Sequence, residues 1–244
     1  MPSLYAIGDI HGQRGQLDAL LAALPRESGD FTVFLGDYID RGADSRGVVR
    51  RILAEYDAAP DRTILLWGNH EDMAAGNYGF YAPSLLAYDP FDWLRNGGLT
   101  ALQSWGLAPP EAFRADCPDE LARLFPLLRT FYRGSDSGIA GLETFLFVHA
   151  GILPEQEPED TPGETLLWVR EAFLDSFDPY VRRIVVHGHT PFPVVRAHPD
   201  KIGIDTGAVR GGPLTALRLP ERTLYQAEED GSVAVAPLHE WWKD

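Results

Sequence analysis

The chain has 244 residues, which is the size of one large domain. Its 45% hydrophobic and 23% charged residues are ordinary globular proportions, and they exclude disordered and fibrous architectures. With 21 Lys+Arg against 36 Asp+Glu, the formal net charge is −15, and no basic stripe is present. We therefore expect no nucleic acid polymer as a partner.

The sequence favours a cytoplasmic protein. Its single cysteine, Cys117, excludes an intramolecular disulfide and a thiolate metal cluster, as is usual in a reducing compartment. Residues 1–7 carry neither the basic segment nor the long apolar stretch of an export signal. Apolar runs such as 145–148 are far shorter than the roughly 20 residues of a spanning helix, so we expect no membrane partner. Oligomeric state cannot be predicted from this sequence.

Short β-branched and aromatic segments alternate with helical patterns in the first third of the chain. The apolar spacing predicts strands over residues 4–7, 31–35 and 63–67, with helices over 13–24 and 45–56 between them. This alternation is typical of a parallel sheet with crossover helices, in which ligands bind at the carboxyl ends of the strands. We therefore expect the chemistry of this protein directly after each strand.

The middle of the chain has a different pattern. Residues 71–134 are less regular, with apolar side chains at helical spacing, and we interpret them as a helical cap inserted into a single domain of residues 1–244. Further strands are predicted over 144–148, 184–186, 202–204, 215–219 and 223–226. We expect the last of these to be antiparallel and a second sheet to pack on the first, which gives an α/β fold.

Five polar motifs follow predicted strands. They are GDIHG at 8–12, GDYIDRG at 36–42, GNHE at 68–71, HAG at 149–151 and HGHT at 187–190. Glycine lets the backbone turn sharply and approach a ligand closely, while Asp, Asn and His supply oxygen and nitrogen donors. Together the motifs therefore predict a metal site.

Six of these side chains make two chemically sensible metal sites if one carboxylate bridges two cations. The bridging carboxylate is Asp37. One site adds Asp9 and His11, and the other adds Asn69, His149 and His189. Two divalent ions about 3.5–4 Å apart can polarise a phosphoryl group and stabilise both the attacking and the leaving oxygen. The residues thus predict phosphoester hydrolysis.

The ordered set GDIHG, GDYIDRG, GNHE, HAG and GHT resembles the phosphoprotein phosphatase (PPP) branch of the calcineurin-like metallophosphoesterases, in its compact bacterial and phage form. The resemblance covers residues 4–209 and ends with IDTGAV at 204–209. It implies an αββα sandwich of two mixed sheets flanked by helices, with a dinuclear site at the carboxyl ends of the strands. It supports the six ligands and implies two divalent metal ions, with Mn²⁺ the usual occupant and Fe or Zn as alternatives.

The resemblance also implies roles around the metals. A hydroxide that bridges the two ions would attack phosphorus in line, without a phosphoenzyme. His70 matches the general acid that protonates the leaving group, and Asp40 matches the carboxylate that orients His70 and keeps it protonated. Arg41 and, in a looser motif, Arg170 match arginines that bind the substrate phosphate, together with Asn69.

Two further residues each have two interpretations. His187 precedes the ligand His189 by two positions, so it either supports the metal site from behind or only packs at the strand end. Asp205 either braces a ligand or caps a turn. The aromatic residues of the predicted cap are expected in its core rather than on a stacking platform for substrate.

The substrate is a phosphorylated protein or a small phosphoester, and the sequence leaves two enzymes open. The leading hypothesis is a Ser/Thr phosphoprotein phosphatase, with Tyr also allowed, because Asp40 and Glu71 match that side of the family. The alternative is a symmetrical dinucleoside-polyphosphate hydrolase or a nucleotidase, because Trp67 stands where eukaryotic-like phosphatases usually place Arg. A catalytically silent binding protein is disfavoured, since no ligand position is lost.

Overall fold

The computed structural model describes residues 1–108 and 116–239, and it places two mixed β-sheets face to face. Residues 109–115 of the predicted cap and residues 240–244 of the predicted domain lie outside the described part of the chain. Within the described residues, no helix is long and apolar enough to cross a membrane.

The N-terminal third forms the alternating pattern that the sequence predicts. Strands β1 (Leu4–Ile7), β2 (Phe31–Phe34) and β3 (Thr63–Leu65) are parallel neighbours. Helices α1 (Arg14–Ala23) and α2 (Ser45–Ala58) form the two crossovers. All five elements are confirmed to within about two residues, which is the usual uncertainty of element ends.

Helices follow β3, starting slightly before the predicted cap. Helix α3 (Asn69–Asn77) is followed by α4 (Pro90–Trp93), a π-helical turn (Leu94–Gly98) and α5 (Leu99–Ser104). Helix α6 (Asp119–Leu124) comes next in the described chain. The helical character predicted for this range is therefore present.

The second sheet contains five strands. They are β4 (Phe131–Arg133), β5 (Phe145–Val148), β6 (Ile184–His187), β7 (Arg196–Ala197) and β8 (Lys201–Gly203). Their order is β4-β5-β6-β8-β7, with parallel central strands and an antiparallel strand at each edge. Strand β4 lies inside the range predicted as cap. Its short sequence carries no periodic signal, so pairing with β5 defines it.

The remaining elements complete both layers. Helices α7 (Gly163–Trp168) and α8 (Glu171–Leu174) lie between β5 and β6 in the chain. Strands β9 (Leu214–Leu219), β10 (Thr223–Ala227) and β11 (Val233–Pro237) return to the first sheet, whose order is β11-β10-β9-β1-β2-β3. All three are antiparallel to their neighbours, as the sequence predicts for β9 and β10, whereas β11 was not predicted.

The hydrophobic core follows the alternation of side chains along the strands. Leu4 and Ala6 of β1 join the cluster between the two sheets, which also contains Phe147. Ile7 belongs to the cluster on the opposite face, where Leu17 of α1 packs. A third cluster packs α7 and α8 on the outer face of the second sheet. The layers are therefore helix, sheet, sheet and helix, which confirms the αββα sandwich.

One carboxylate joins the cap to α2. Glu120 of α6 accepts hydrogen bonds from Arg46 at 3.0 Å and from the indole nitrogen of Trp105 at 2.9 Å, and it pairs with Arg50 at 2.8 Å. Partial burial raises the pKa of Glu120, but these hydrogen bonds outweigh it and lower that pKa to about 2. The ionised carboxylate is thus the form that holds α6 against α2.

We expect the substitution Glu120→Gln to destabilise the protein by about 1 kcal/mol near neutral pH, since it removes the charge from a small ion-pair network. Because the pKa of Glu120 is lower in the folded state than in the unfolded state, its charge stabilises the folded protein fully above about pH 4.3, the unfolded value. That stabilisation is lost as the pH falls toward about 2. The difference between wild type and variant in denaturant unfolding should therefore shrink over this window.

The matched control is Glu164→Gln, because Glu164 is exposed and its side chain has no polar partner among the described residues. It removes the same charge without breaking the network. Equal destabilisation by both variants, or a pH-independent difference, would contradict the role given to Glu120.

Candidate dinuclear metal centre

The six predicted ligands meet at one edge of the sandwich, and none is more than 4% exposed. Asp9 and His11 follow β1, Asp37 follows β2, and Asn69 begins α3 just after β3. His149 follows β5, and His189 follows β6. Both sheets therefore contribute, because the carboxyl ends of their parallel strands point to the same edge.

Asp37 lies between histidines from the two sheets. Its Oδ2 is 3.2 Å from Nε2 of His11, and its Oδ1 is 3.4 Å from Nε2 of His149. Two groups of mutually close ligand atoms, all within 4.8 Å of one another, share this carboxylate. One group contains His11 and His70, and the other contains His149 and His189. This is the arrangement expected of a carboxylate that bridges two ions.

The protonation of these histidines indicates what the centre binds. Nδ1 of His149 lies 2.8 Å from the carbonyl oxygen of Leu35, and Nδ1 of His11 lies 2.8 Å from that of Ile39. A carbonyl can only accept, so each Nδ1 carries a proton. Burial lowers the pKa of His149, which favours the neutral ring. Its Nε2 lone pair then faces an oxygen of Asp37, and only a cation makes this arrangement favourable.

Asn69 and Asp9 complete the arrangement. Oδ1 of Asn69 lies 2.9 Å from Nδ1 of His189 and 3.0 Å from Nε2 of His149, so an oxygen that can only accept faces two ring nitrogens. The Asp9 carboxylate accepts the backbone N–H of His189 at 3.0 and 3.1 Å. Asp9 belongs to neither close group among the described residues. The donor set of neutral imidazoles, carboxylates and an amide oxygen fits divalent ions.

Glu71 positions the bridging carboxylate. Its buried oxygens accept the backbone N–H groups of Asp37 at 2.8 Å, Tyr38 at 2.9 Å, Ile39 at 3.1 Å and Gly68 at 3.2 Å. Asp37 has a φ of 51°, which is unfavourable for a residue with a side chain, and these bonds hold it there. In the sequence, Glu71 indicated only a substrate class, and its role in positioning Asp37 was not predicted. Its place in GNHE was the available signal.

His70 and Asp40 form a closed pair. Nδ1 of His70 is 2.6 Å from Oδ2 of Asp40, and the indole N–H of Trp93 donates to both Asp40 oxygens at 3.0 and 3.1 Å. Trp93 comes from the cap and was expected only in its core. Nε2 of His70 has no hydrogen-bond partner within residues 1–108 and 116–239, and it lies 4.0 Å from Asp37. The pair is therefore fixed on one side and open towards the metal ligands.

The resemblance implies that Asp40 keeps His70 protonated, and burial changes how charge is distributed in this pair. Burial lowers the pKa of His70 to about 4, and it raises the pKa of Asp40 well above its usual value. Both shifts disfavour net charge, so the form with no net charge, in which the pair holds two protons, is preferred. One proton lies between Nδ1 and Asp40, and the second is on Nε2.

The two predicted phosphate-binding arginines reach the same centre. Arg41 is exposed and donates to Nε2 of His11 at 2.8 Å, and Arg170 donates to Oγ1 of Thr190 at 3.2 Å. Both guanidinium groups lower the pKa of His70 after the larger effect of burial, so both act on one imidazole. Gly97 of the predicted cap has a φ of 115°, and a Cβ there would lie 2.6 Å from the backbone nitrogen of Arg41. The cap backbone therefore closes directly on Arg41.

Three other residues from the sequence analysis lie around the centre. His187 packs its ring against Phe173, with a centroid distance of 5.0 Å, which favours strand-end packing. Asp205 accepts the N–H of Gly207 at 2.9 Å and so caps a turn, although its charge also raises the pKa of Asp9 after burial. Trp67 is 4% exposed and stacks on Phe125 at 5.9 Å, away from any ligand role.

Comparisons with known proteins found a matching family model and similar relatives. A family model described as calcineurin-like phosphoesterase matches residues 2–212. A symmetrical bis(5′-nucleosyl)-tetraphosphatase of Acidovorax sp. (strain JS42) is 31% identical over 98% of this chain and 75% of its own. An asymmetrical bis(5′-nucleosyl)-tetraphosphatase of Bacillus velezensis is 28% identical over 91% of each chain.

A solved structure shows the same fold. The cold-active protein-tyrosine phosphatase of a psychrophilic Shewanella species superposes with a TM-score of 0.61 over 96% of this chain and 80% of its own. The two sequences are 18% identical, so this likeness concerns the fold. The architecture predicted from the motifs is confirmed.

We expect Asp37→Asn to weaken binding of both divalent ions, because the carboxylate shared by the two candidate sites becomes a neutral amide. The variants His11→Asn and His149→Asn should each weaken one site and leave the other. Isothermal titration with Mn²⁺ would measure stoichiometry and affinity in each variant. Tight binding of two ions by Asp37→Asn would rule out the bridge, and circular dichroism would check that the variants fold.

Proposed function

The chain belongs to the calcineurin-like phosphoesterase family of metal-dependent hydrolases, and on this premise we propose that it hydrolyses dinucleoside polyphosphates. The observation that carries the proposal is the similarity to bis(5′-nucleosyl)-tetraphosphatases, which runs along nearly the whole chain. The substrate is thus a chain of phosphates with a nucleoside at each end. Water adds to one phosphorus, one bridging P–O bond breaks, and the leaving phosphate oxygen takes a proton.

The residues of the centre support this reaction. Bound divalent ions polarise a phosphoryl oxygen and make water a strong nucleophile near neutral pH. Arg41 and Arg170 bind phosphate oxygens through planar guanidinium groups. Nε2 of His70, which faces the centre, gives its proton to the leaving oxygen. Asp40 holds the ring through Nδ1, so the proton donor keeps its direction.

A phosphoprotein phosphatase is the second candidate, and the 2.6 Å contact of Asp40 with His70 is the observation that favours it. The other two sequence signals have structural explanations that are independent of substrate. Glu71 anchors the loop of Asp37, and Trp67 packs on Phe125 in the cap. Neither side chain distinguishes a phosphopeptide from a nucleotide.

We expect the metal-loaded protein to hydrolyse a dinucleoside tetraphosphate with a kcat/KM more than about 10-fold above that for phosphoserine, phosphothreonine and phosphotyrosine peptides. Parallel assays after loading with Mn²⁺, with a chelated sample as control, would measure this. Faster turnover of the phosphopeptides would transfer the proposal to the second candidate. Absence of hydrolysis in every assay would contradict both.

We expect His70→Asn to lower turnover by about 10² to 10⁴ on substrates with poor leaving groups, because general acid catalysis is lost. An activated aryl phosphate needs less protonation of its leaving group and should be affected less. Steady-state kinetics on the two substrate types measures the difference, and Mn²⁺ titration checks that both ions remain bound. If this variant lost an ion instead, His70 would be a ligand.

A further inference from the structure

A cavity of about 380 Å³, lined by residues close in the chain to His189 and Asp205, has no role in the mechanism above. Its volume lies within the range of about 300–1,000 Å³ that small-molecule sites have. One wall contains Pro191 and Phe192, and another contains Thr206, Gly207 and Arg210. One wall directly follows the GHT motif, and the other includes Thr206 and Gly207, the last two residues of IDTG at 204–207, and continues to Gly212.

The chain itself sets how far this cavity lies from the ligands. Pro191 is two residues after His189, and two residues span at most about 7 Å. Gly207 is two residues after Asp205, whose charge acts on the pKa of Asp9. The backbone N–H of Phe192 donates to the carbonyl of Asp205 at 3.0 Å, which ties the two walls together. Two of the residues that line the cavity therefore lie within about 7 Å of His189 or Asp205 along the backbone.

Arg210 gives the cavity a free positive charge. It is exposed, and among the described residues its guanidinium has no hydrogen-bond or ion-pair partner. Its carbon stem packs beside Gly207, since a Cβ added there would lie 3.7 and 3.9 Å from Cβ and Cδ of Arg210. In a chain with a net charge of −15, such an unpaired cation is a specific attraction for a polyanion.

The loop that carries Arg210 is already ordered by its own hydrogen bonds. Backbone N–H groups of Arg210 and Gly212 donate to the carbonyl of Gly207 at 2.8 and 3.1 Å. The Thr206 hydroxyl lies 2.6 Å from the carbonyl of Pro213. A site on a preformed loop loses little entropy when it binds a ligand.

Phe192 supplies an aromatic surface beside this cation. The guanidinium of Arg196 lies over its ring at 3.9 Å and holds the ring in place. Phe192 and Pro191 make an apolar wall of the cavity, while Thr206 and Arg210 make another wall polar. A ligand with a flat ring at one end and phosphates at the other matches this division.

We propose that this cavity binds one nucleoside diphosphate half of the substrate, with phosphate on Arg210 and the base against Phe192. The inference rests on the proposed function and adds the residues that would select a nucleotide. It assigns a binding role to Arg210 and Phe192, outside the hydrolytic centre. A phosphopeptide has no flat ring linked to a second phosphate, so the same cavity would not favour it.

The test uses the full chain loaded with Mn²⁺ and follows hydrolysis of an aryl phosphate, with ADP as a competitive inhibitor. In Arg210→Ala the inhibition constant of ADP should rise at least about 10-fold, as for loss of a charge-assisted hydrogen bond, while that of inorganic phosphate stays unchanged. Phe192→Ala should raise the constant for ADP and leave that for inorganic triphosphate unchanged, because only ADP carries a base.

The matched control is Arg62→Ala. Arg62 precedes β3, at the opposite end of the strand from the ligands, and its removal changes the net charge equally. An unchanged ADP constant in Arg210→Ala, or an equal rise in Arg62→Ala, would overturn the cavity proposal. A rise in KM for phosphopeptides alone would overturn it too.

Failure of the proposed function would look different. The wild type would then hydrolyse no dinucleoside polyphosphate, whatever ADP does as an inhibitor. Conversely, hydrolysis of a dinucleoside tetraphosphate with full activity in Arg210→Ala and Phe192→Ala would leave the function standing and remove only the cavity assignment.

Discussion

The structure depends on one buried carboxylate that faces histidine nitrogens from both sheets. Asp37 carries negative charge into a site where Nε2 of His149 presents a lone pair at 3.4 Å, while Nε2 of His11, at 3.2 Å, accepts a hydrogen bond from Arg41. Without positive charge, these atoms would repel one another in a medium that screens poorly. The sandwich is therefore stabilised elsewhere, by the apolar cluster between its sheets, and holds an arrangement that only cations make favourable.

The parts of this centre that could be predicted are those with a local signal. An apolar run followed by Gly-Asp or Gly-Asn marks a strand end within a few residues, so candidate ligands such as Asp9, Asp37 and Asn69 and most central strands can be predicted from the sequence. Strand β4 and the indole of Trp93 have no such signal. Trp93 donates to Asp40 across 53 positions of the chain, and β4 exists because β5 pairs with it. Contacts of this kind are products of folding that no local pattern encodes.

The proton of His70 is controlled by the environment of a pair. An exposed carboxylate would raise the pKa of a neighbouring histidine through charge. Here Asp40 is 0% exposed, and burial acts on both partners so that the pair without net charge is preferred. The hydrogen bond from the indole N–H of Trp93 partly opposes burial, because it lowers the pKa of Asp40. Trp93, from the predicted cap, therefore acts on the chemistry by covering Asp40 and His70, which are excluded from water.

Substrate class is the property that the motifs predict least. The positions of Glu71 and Trp67 hold different residues in different branches of the family that the sequence resembles. In this chain, Glu71 accepts backbone hydrogen bonds and Trp67 packs on Phe125. Their identities report how a loop and a cap are held. Selection between a phosphopeptide and a nucleotide must come from surfaces that a substrate can touch, and Arg210 beside Phe192 is such a surface. In the proposed complex, Arg210 binds one further phosphate, which a monoester on a peptide does not have.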